Sequence, residues 1–176
     1  MKKYIWIIAI VIIAALLIYF LWGCAKNVVS NNDECTMVNA KAELFQKAID
    51  EFGALTPDDA ALLWGKGVKE RNGALQYAVM SDELKKTYKE HLDKNYPAWV
   101  TGFSSPWVEK VEIIESKRVS KGEYEVVMQF SLATSAGSEG KHLAKLSIYN
   151  EGLFWVVNNV AADEMMLELS GLNFPK

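Results

Sequence analysis

Two histidines, two cysteines and several paired carboxylates are the residues of this chain whose types could do chemistry. His142 opens a stretch in which Ala144, Leu146 and Ile148 alternate with polar residues. Strand geometry therefore puts it on the same side as those three apolar residues. Such a histidine has two readings: a general base or hydrogen-bond donor at a pocket mouth, with Tyr77 as a second acid–base group, or a solvated residue beside a loop. His91 falls between Tyr88 and Leu92 on a helical stretch and reads as a helix-face residue. Asp58-Asp59 and Asp82-Glu83 fall in first turns of helices, where acids compensate the helix dipole. The chain has no GxSxG, HExxH, Walker loop or GxGxxG. Residue types and spacing thus supply no catalytic set, no metal set and no cofactor motif.

The aromatic residues form a second constellation. Trp64, Tyr77, Tyr88, Trp99, Trp107 and Trp155 suit either the lining of a cavity for an apolar or sugar-like ligand or the packing of a core and its rim. Trp99-Val100-Thr101-Gly102-Phe103-Ser104-Ser105-Pro106-Trp107 sets large aromatics around small, turn-forming residues. It reads as a cavity lid or partner contact, or as packing at a helix-to-sheet corner. Lys85, Lys86 and Lys89 form a small basic face expected to be solvated.

The elements that must position these groups follow from periodicity. Thr36 caps a first helix running to about Phe52, with Ala40, Leu44, Phe45, Ala48 and Ile49 as its apolar stripe and Gly53 as its stop. Thr56-Pro57-Asp58-Asp59 is a stronger start: an N-cap, a proline at the first helical position and two acids. Gly67 within that helix is expected to admit another backbone closely. Asn72-Gly73 breaks it, Ala74 to Met80 forms a short helix, and Ser81 opens another to about Asp93. Beyond Tyr96-Pro97 the period changes to two. Strands are expected at Val108–Val119 with a bulge near Ile113-Ile114, around Tyr124–Leu132, around Ala144–Ile148 and at Leu153–Val160. Ser135–Gly140 reads as a loop, and a short helix is expected around Glu164–Leu169. Helices first and a four-stranded antiparallel meander second mean α+β, with the helices covering one face of a curved sheet.

The N-terminus sets the context. Of the 176 residues, Tyr4 to Trp22 form one unbroken apolar and aromatic run behind Lys2 and Lys3. As a helix it is about 28 Å long, close to the ~30 Å hydrocarbon core of a bilayer. The two lysines favour a cytoplasmic start. Leu21-Trp22-Gly23-Cys24 also resembles the lipobox of bacterial lipoproteins, in which the cysteine is lipidated, although Trp22 departs from that pattern. An uncleaved anchor, a lipidated Cys24 and simple cleavage all place the remainder outside the cytoplasm; the first two hold it at the cell membrane, as a single-pass protein or lipid-anchored. An uncleaved chain could join Cys24 to Cys35, whereas a lipidated Cys24 leaves Cys35 unpaired. The domain reading is therefore 1–24 as anchor or lipoprotein signal, 25–35 as linker and 36–176 as one extracytoplasmic domain. The whole chain carries −3; without Lys2 and Lys3 the remainder is more acidic still, which excludes nucleic acid as an obvious partner.

The helix Thr56–Arg71, the segment Leu75–Ser81 and the strands from Val108 to Val160 resemble the NTF2-like superfamily, whose fold is a cone of helices and curved sheet. The resemblance covers roughly Leu44 to Ala162 and rests on element order and spacing. Members of that superfamily include enzymes and non-enzymes, so the resemblance alone does not decide activity; together with the anchor and the absent catalytic set it leads to the expectation of a domain that binds at the bacterial cell envelope without catalysis, taking an envelope protein or a small apolar ligand. The alternative it allows is a small-molecule enzyme using the cone's interior. Trp64, Tyr77, Trp99, Trp107, His142 and Trp155 are the candidate pocket or lid residues, and Cys24 the candidate lipidation site. NTF2-like sheets often pair through their outer faces, so a homodimer is expected there, with Val127, Trp155 and Val157 as its apolar surface.

Overall fold

The computed structural model describes residues 38–174. The anchor run 4–22, Cys24, Cys35, the linker and the Thr36 cap lie outside the described residues. Among those described, no helix is long and apolar enough to cross a membrane. The chain divides into two compact units, one ending at Lys47 and one beginning at Ala48. Residues 38–50 (α1) are helical. Leu44 and Phe45 of the expected apolar stripe are exposed, and Ile49, within the second unit, packs against that unit's core. A 3.6-residue period marks one face of a helix but does not supply a partner for it.

The second unit follows the expected order. Pro57–Lys69 forms α2, Gly73–Ala78 α3, Asp82–Asn95 α4 and Glu164–Ser170 α5. Each start is capped as its sequence demands: Thr56, Asn72, Ser81 and Asp163 accept from the backbone N–H three residues on, satisfying a donor that the helix itself leaves free. The last helix closes on Gly171, whose φ of 72° lies in the left-handed region. Strands β1 (Trp107–Ser120), β2 (Glu123–Thr134), β3 (Gly137–Glu151) and β4 (Phe154–Ala162) form one antiparallel meander in the order β1-β2-β3-β4. The expected bulge falls between Ile113 and Glu115. The expected loop Ser135–Gly140 is shorter than its composition suggested: Gly137 already pairs with Thr134, and a register shift beside Leu132 absorbs the extra residue.

Period two decides which side chains enter the core. Val126, Met128, Phe130 and Leu132 of β2, with Ala144, Leu146 and Ile148 of β3, are all buried. Helix α2 touches all four strands and presents Ala60, Ala61, Trp64 and Val68 to them. On β4 a second shift between Ser147 and Ile148 resets the alternation, so Val157 pairs with the inward Ile148 and is fully buried. Trp155 lies opposite Asn150, two residues from that pair, and packs edge-on against Tyr124. Both residues expected on the outer sheet face with Val127 therefore belong to the inner side. The open edge of β4 is partly paired as well: Val157 N–H donates to Val79, Ser81 N–H donates to Val157, and Trp155 N–H donates to Ala54.

Candidate functional site

The six candidate pocket residues do not converge on one cavity. Trp64 is central in the core, edge-on to Phe130 at 5.9 Å and 89°. Its Nε1 is buried without a hydrogen-bond partner among the described residues. Trp107 opens β1 and is exposed. Trp155 belongs to the Tyr124 contact. The inner face between helices and sheet is filled by Trp64, Tyr88, Met128, Phe130, Leu132, Leu146, Ile148 and Met166, all fully buried.

His142 takes a structural partner. Its Nδ1 lies 2.8 Å from Oδ2 of Asp163, while Oδ1 of the same carboxylate accepts the Met166 N–H at 2.9 Å. One side chain thus caps α5 and ties it to β3. Burial pushes the Asp163 carboxyl up, but the Met166 N–H, His142 and the Met165 N–H outweigh it and hold the group below its ordinary range. His91 is similarly engaged on α4: Nε2 faces Asn173 at 3.2 Å and Nδ1 faces Asn95 at 3.2 Å.

Tyr77 and Trp99 do meet, with ring centroids 5.3 Å apart. The Tyr77 hydroxyl donates to Asp50 at 2.5 Å, and Trp99 Nε1 donates to Asp93 at 2.8 Å. Burial and the Asp50 carboxylate both raise the Tyr77 pKa, so this hydroxyl stays protonated and is held as a donor. Of the three lysines expected to form a solvated face, Lys86 is exposed, while Lys85 and Lys89 are drawn into this corner. Lys85 is buried, donates to the Asp50 carbonyl at 3.2 Å and lies 5.5 Å from the Tyr77 ring centroid. Lys89 pairs with Asp93 at 2.6 Å and lies 5.8 Å from the Trp99 centroid. Long apolar stems let both lysines cover aromatic surface while their ammonium groups reach polar partners.

The Trp99–Trp107 segment is fastened at its first half. Gly73 N–H donates to the Trp99 carbonyl at 2.9 Å, and Thr101 N–H to the Arg71 carbonyl at 3.1 Å. Arg71 reaches the Thr101 and Gly102 carbonyls through Nε and Nη2 at 2.9 and 3.2 Å. Gln76 Nε2 donates to the buried Thr101 hydroxyl at 3.2 Å. These bonds place the segment at the helix-to-sheet corner.

A concave feature with a largely apolar wall lies elsewhere. An open groove of about 580 Å³ lies between the α1–α2 connection and the outer face of α2. Phe52, Gly53, Ala54, Leu55, Leu62, Leu63 and Phe154 supply its apolar wall, and Glu51, Asp59 and Lys66 its charged rim. Leu55 is 74% exposed and Leu62 46%. Gly53 allows this wall to form, because a Cβ there would collide with the Phe154 side chain. None of these residues was a candidate from sequence. The one available signal was Leu62, an apolar residue on the polar side of the α2 pattern. Among the described residues, no cluster of three or more His, Cys, Asp or Glu could hold a metal.

No family model matches the chain, and no curated protein matches it. Among solved structures it is similar to a crystal structure of an NTF-2 like protein of unknown function from Shewanella oneidensis MR-1. The match has 19% identity and a TM-score of 0.41, and covers 61% of this chain and 98% of that one.

Proposed function

We propose that this chain is a membrane-tethered, extracytoplasmic domain of NTF2-like type that binds an apolar protein surface through the α2 groove and performs no chemistry itself. The observation that carries the reading is the groove: a concave apolar wall with Leu55 and Leu62 turned to solvent. Exposed apolar surface gathered in one concave place and rimmed by charge marks interaction sites. The filled inner face and the engagement of His142 with Asp163 support binding over catalysis. The run Tyr4–Trp22 is the reason for the tether.

A photoreactive amino acid at Leu55 in the full chain, irradiated in intact membranes, tests the groove. A discrete protein adduct is expected, abolished by Leu62→Glu and absent when the probe is moved to Lys121 in the β1–β2 turn. Absence of any Leu55 adduct would refute the binding role. Mass spectrometry of the mature N-terminus tests the tether: an intact Met1 or a lipidated Cys24 supports it, and an unmodified chain beginning after the apolar run refutes it.

A further inference from the structure

We infer that the occupant of the groove is a second copy of this chain, docked by antiparallel pairing of α2 with α2 about a two-fold axis. The inference rests on reading the groove as a binding surface. Its own basis is the pattern of the α2 residues that line it.

Those residues are Asp59, Leu62, Leu63 and Lys66. Their spacing is i, i+3, i+4, i+7, so they share one face over two turns. That face is self-complementary. Reversed about the midpoint between Leu62 and Leu63, it places Asp59 opposite Lys66, and Leu62 opposite Leu63. Antiparallel contact with a second copy therefore repeats each interaction twice: two carboxylate–ammonium pairs outside two leucine contacts. A two-fold interface requires this self-complementarity, since one patch must serve as both halves. Parallel contact would set like charges side by side.

The surroundings agree. Asp59 and Lys66 lie about 10 Å apart along the helix at 1.5 Å per residue, and two packed helices approach to 8–10 Å. The antiparallel register about the Leu62/Leu63 midpoint sets each Asp59 level with the second copy's Lys66 when the leucines touch. Leu55 stands out at the groove lip, and Phe52 and Phe154 give the hollow apolar walls in which a partner's leucine loses its water. Lys66 reaches Glu70 at only 3.9 Å, with both side chains more than half or half exposed, so its present pair is weak and free to exchange. A face carrying one sign of charge would have fitted an oppositely charged partner. Along α2 this one carries both signs in mirror order, Asp59 at one end and Lys66 at the other, which fits itself.

The test uses the full chain in nonionic detergent, with mass measured by sedimentation across a dilution series. The wild type is expected to dimerise, and Leu62→Glu to be monomeric. Asp59→Lys and Lys66→Asp each set like charges opposite one another twice and should each weaken the dimer roughly tenfold. The double reversal Asp59→Lys/Lys66→Asp exchanges the partners and should return affinity to near wild type. Circular dichroism and thermal melting of every variant confirm that the fold persists; because Leu62 and Lys66 are exposed on a formed helix, Leu62→Glu and Lys66→Asp remain informative even if Asp59→Lys loses its cap region. A monomeric wild type overturns the inference, as does a dimer indifferent to Leu62→Glu, or a double reversal no tighter than the single ones. The mass of the Leu55 photoadduct separates this inference from the reading beneath it. An adduct of two copies supports both. An adduct with a different protein keeps the binding role and overturns self-association.

Discussion

Gly67→Ala sets helix propensity against packing, and the structure decides the sign. In an isolated helix, alanine in place of glycine gains about 1 kcal/mol. At Gly67 a Cβ would stand 2.5 Å from Gln76 Cγ, 2.9 Å from Gln76 N and 3.1 Å from the Asn72 carbonyl oxygen. Two of those three atoms are backbone, at the capped start of α3, and the Gln76 side chain is held to Thr101. Accommodating a methyl therefore means moving α3 off α2. Overpacking of that kind costs about 1–3 kcal/mol, and more when backbone must shift. The net expectation is a destabilisation of about 1–2 kcal/mol. Gly65→Ala is the control on the same helix. Its nearest atoms are the ends of side chains, Met128 Cε at 2.6 Å and Val111 Cγ1 at 2.8 Å. Methionine can swing aside, so the clash is smaller and the propensity gain survives more fully. Urea unfolding of the full chain in nonionic detergent, followed by tryptophan fluorescence, should give a lower midpoint for Gly67→Ala than for Gly65→Ala, with unchanged slope. A Gly67→Ala protein as stable as wild type would refute the close-approach argument.

Three further outcomes are expected. Tyr88→Phe removes the 2.8 Å bond to the Ser170 carbonyl inside the core, and leaving that acceptor unmet should cost about 1–3 kcal/mol in the same unfolding assay. Thr56→Ala removes the α2 cap, whose hydroxyl accepts the Asp59 N–H at 3.1 Å, and should cost about 1 kcal/mol, while Thr56→Ser should restore most of it. Asp163 has a lowered pKa in the folded state, so its contribution is present above its unfolded value and is lost as pH falls through the folded one. The stability gap between wild type and Asp163→Asn should accordingly be present above the unfolded carboxyl value and close below about pH 4; a gap that persists undiminished in strong acid would contradict the assignment.

The sequence by itself determined the local elements of the second unit. Thr56 and Ser81 mark helix starts because each cap is a bond across three residues. The alternation from Tyr124 to Leu132 marks a strand and its inward face because Cβ directions reverse at every residue. The slip at Ile113-Ile114 marks a bulge for the same reason. These are short-range facts, and a linear reading reaches them. What only the tertiary structure decided depends on who stands opposite whom. The shift at Ser147/Ile148 turned Val157 into the core, and nothing within β4 announces a register set by β3. Lys85 reads as solvated from its helix neighbours, yet Tyr77 of the preceding helix and Asp50 at the end of α1 meet it and it is buried. The aromatic set that looked like one pocket is dispersed because residue type fixes no distance between elements. The groove is the converse case. It arises where the chain before α2, the exposed turn of α2 and Phe154 of β4 come together, and a concave surface made from three separate stretches has no signature in any one of them.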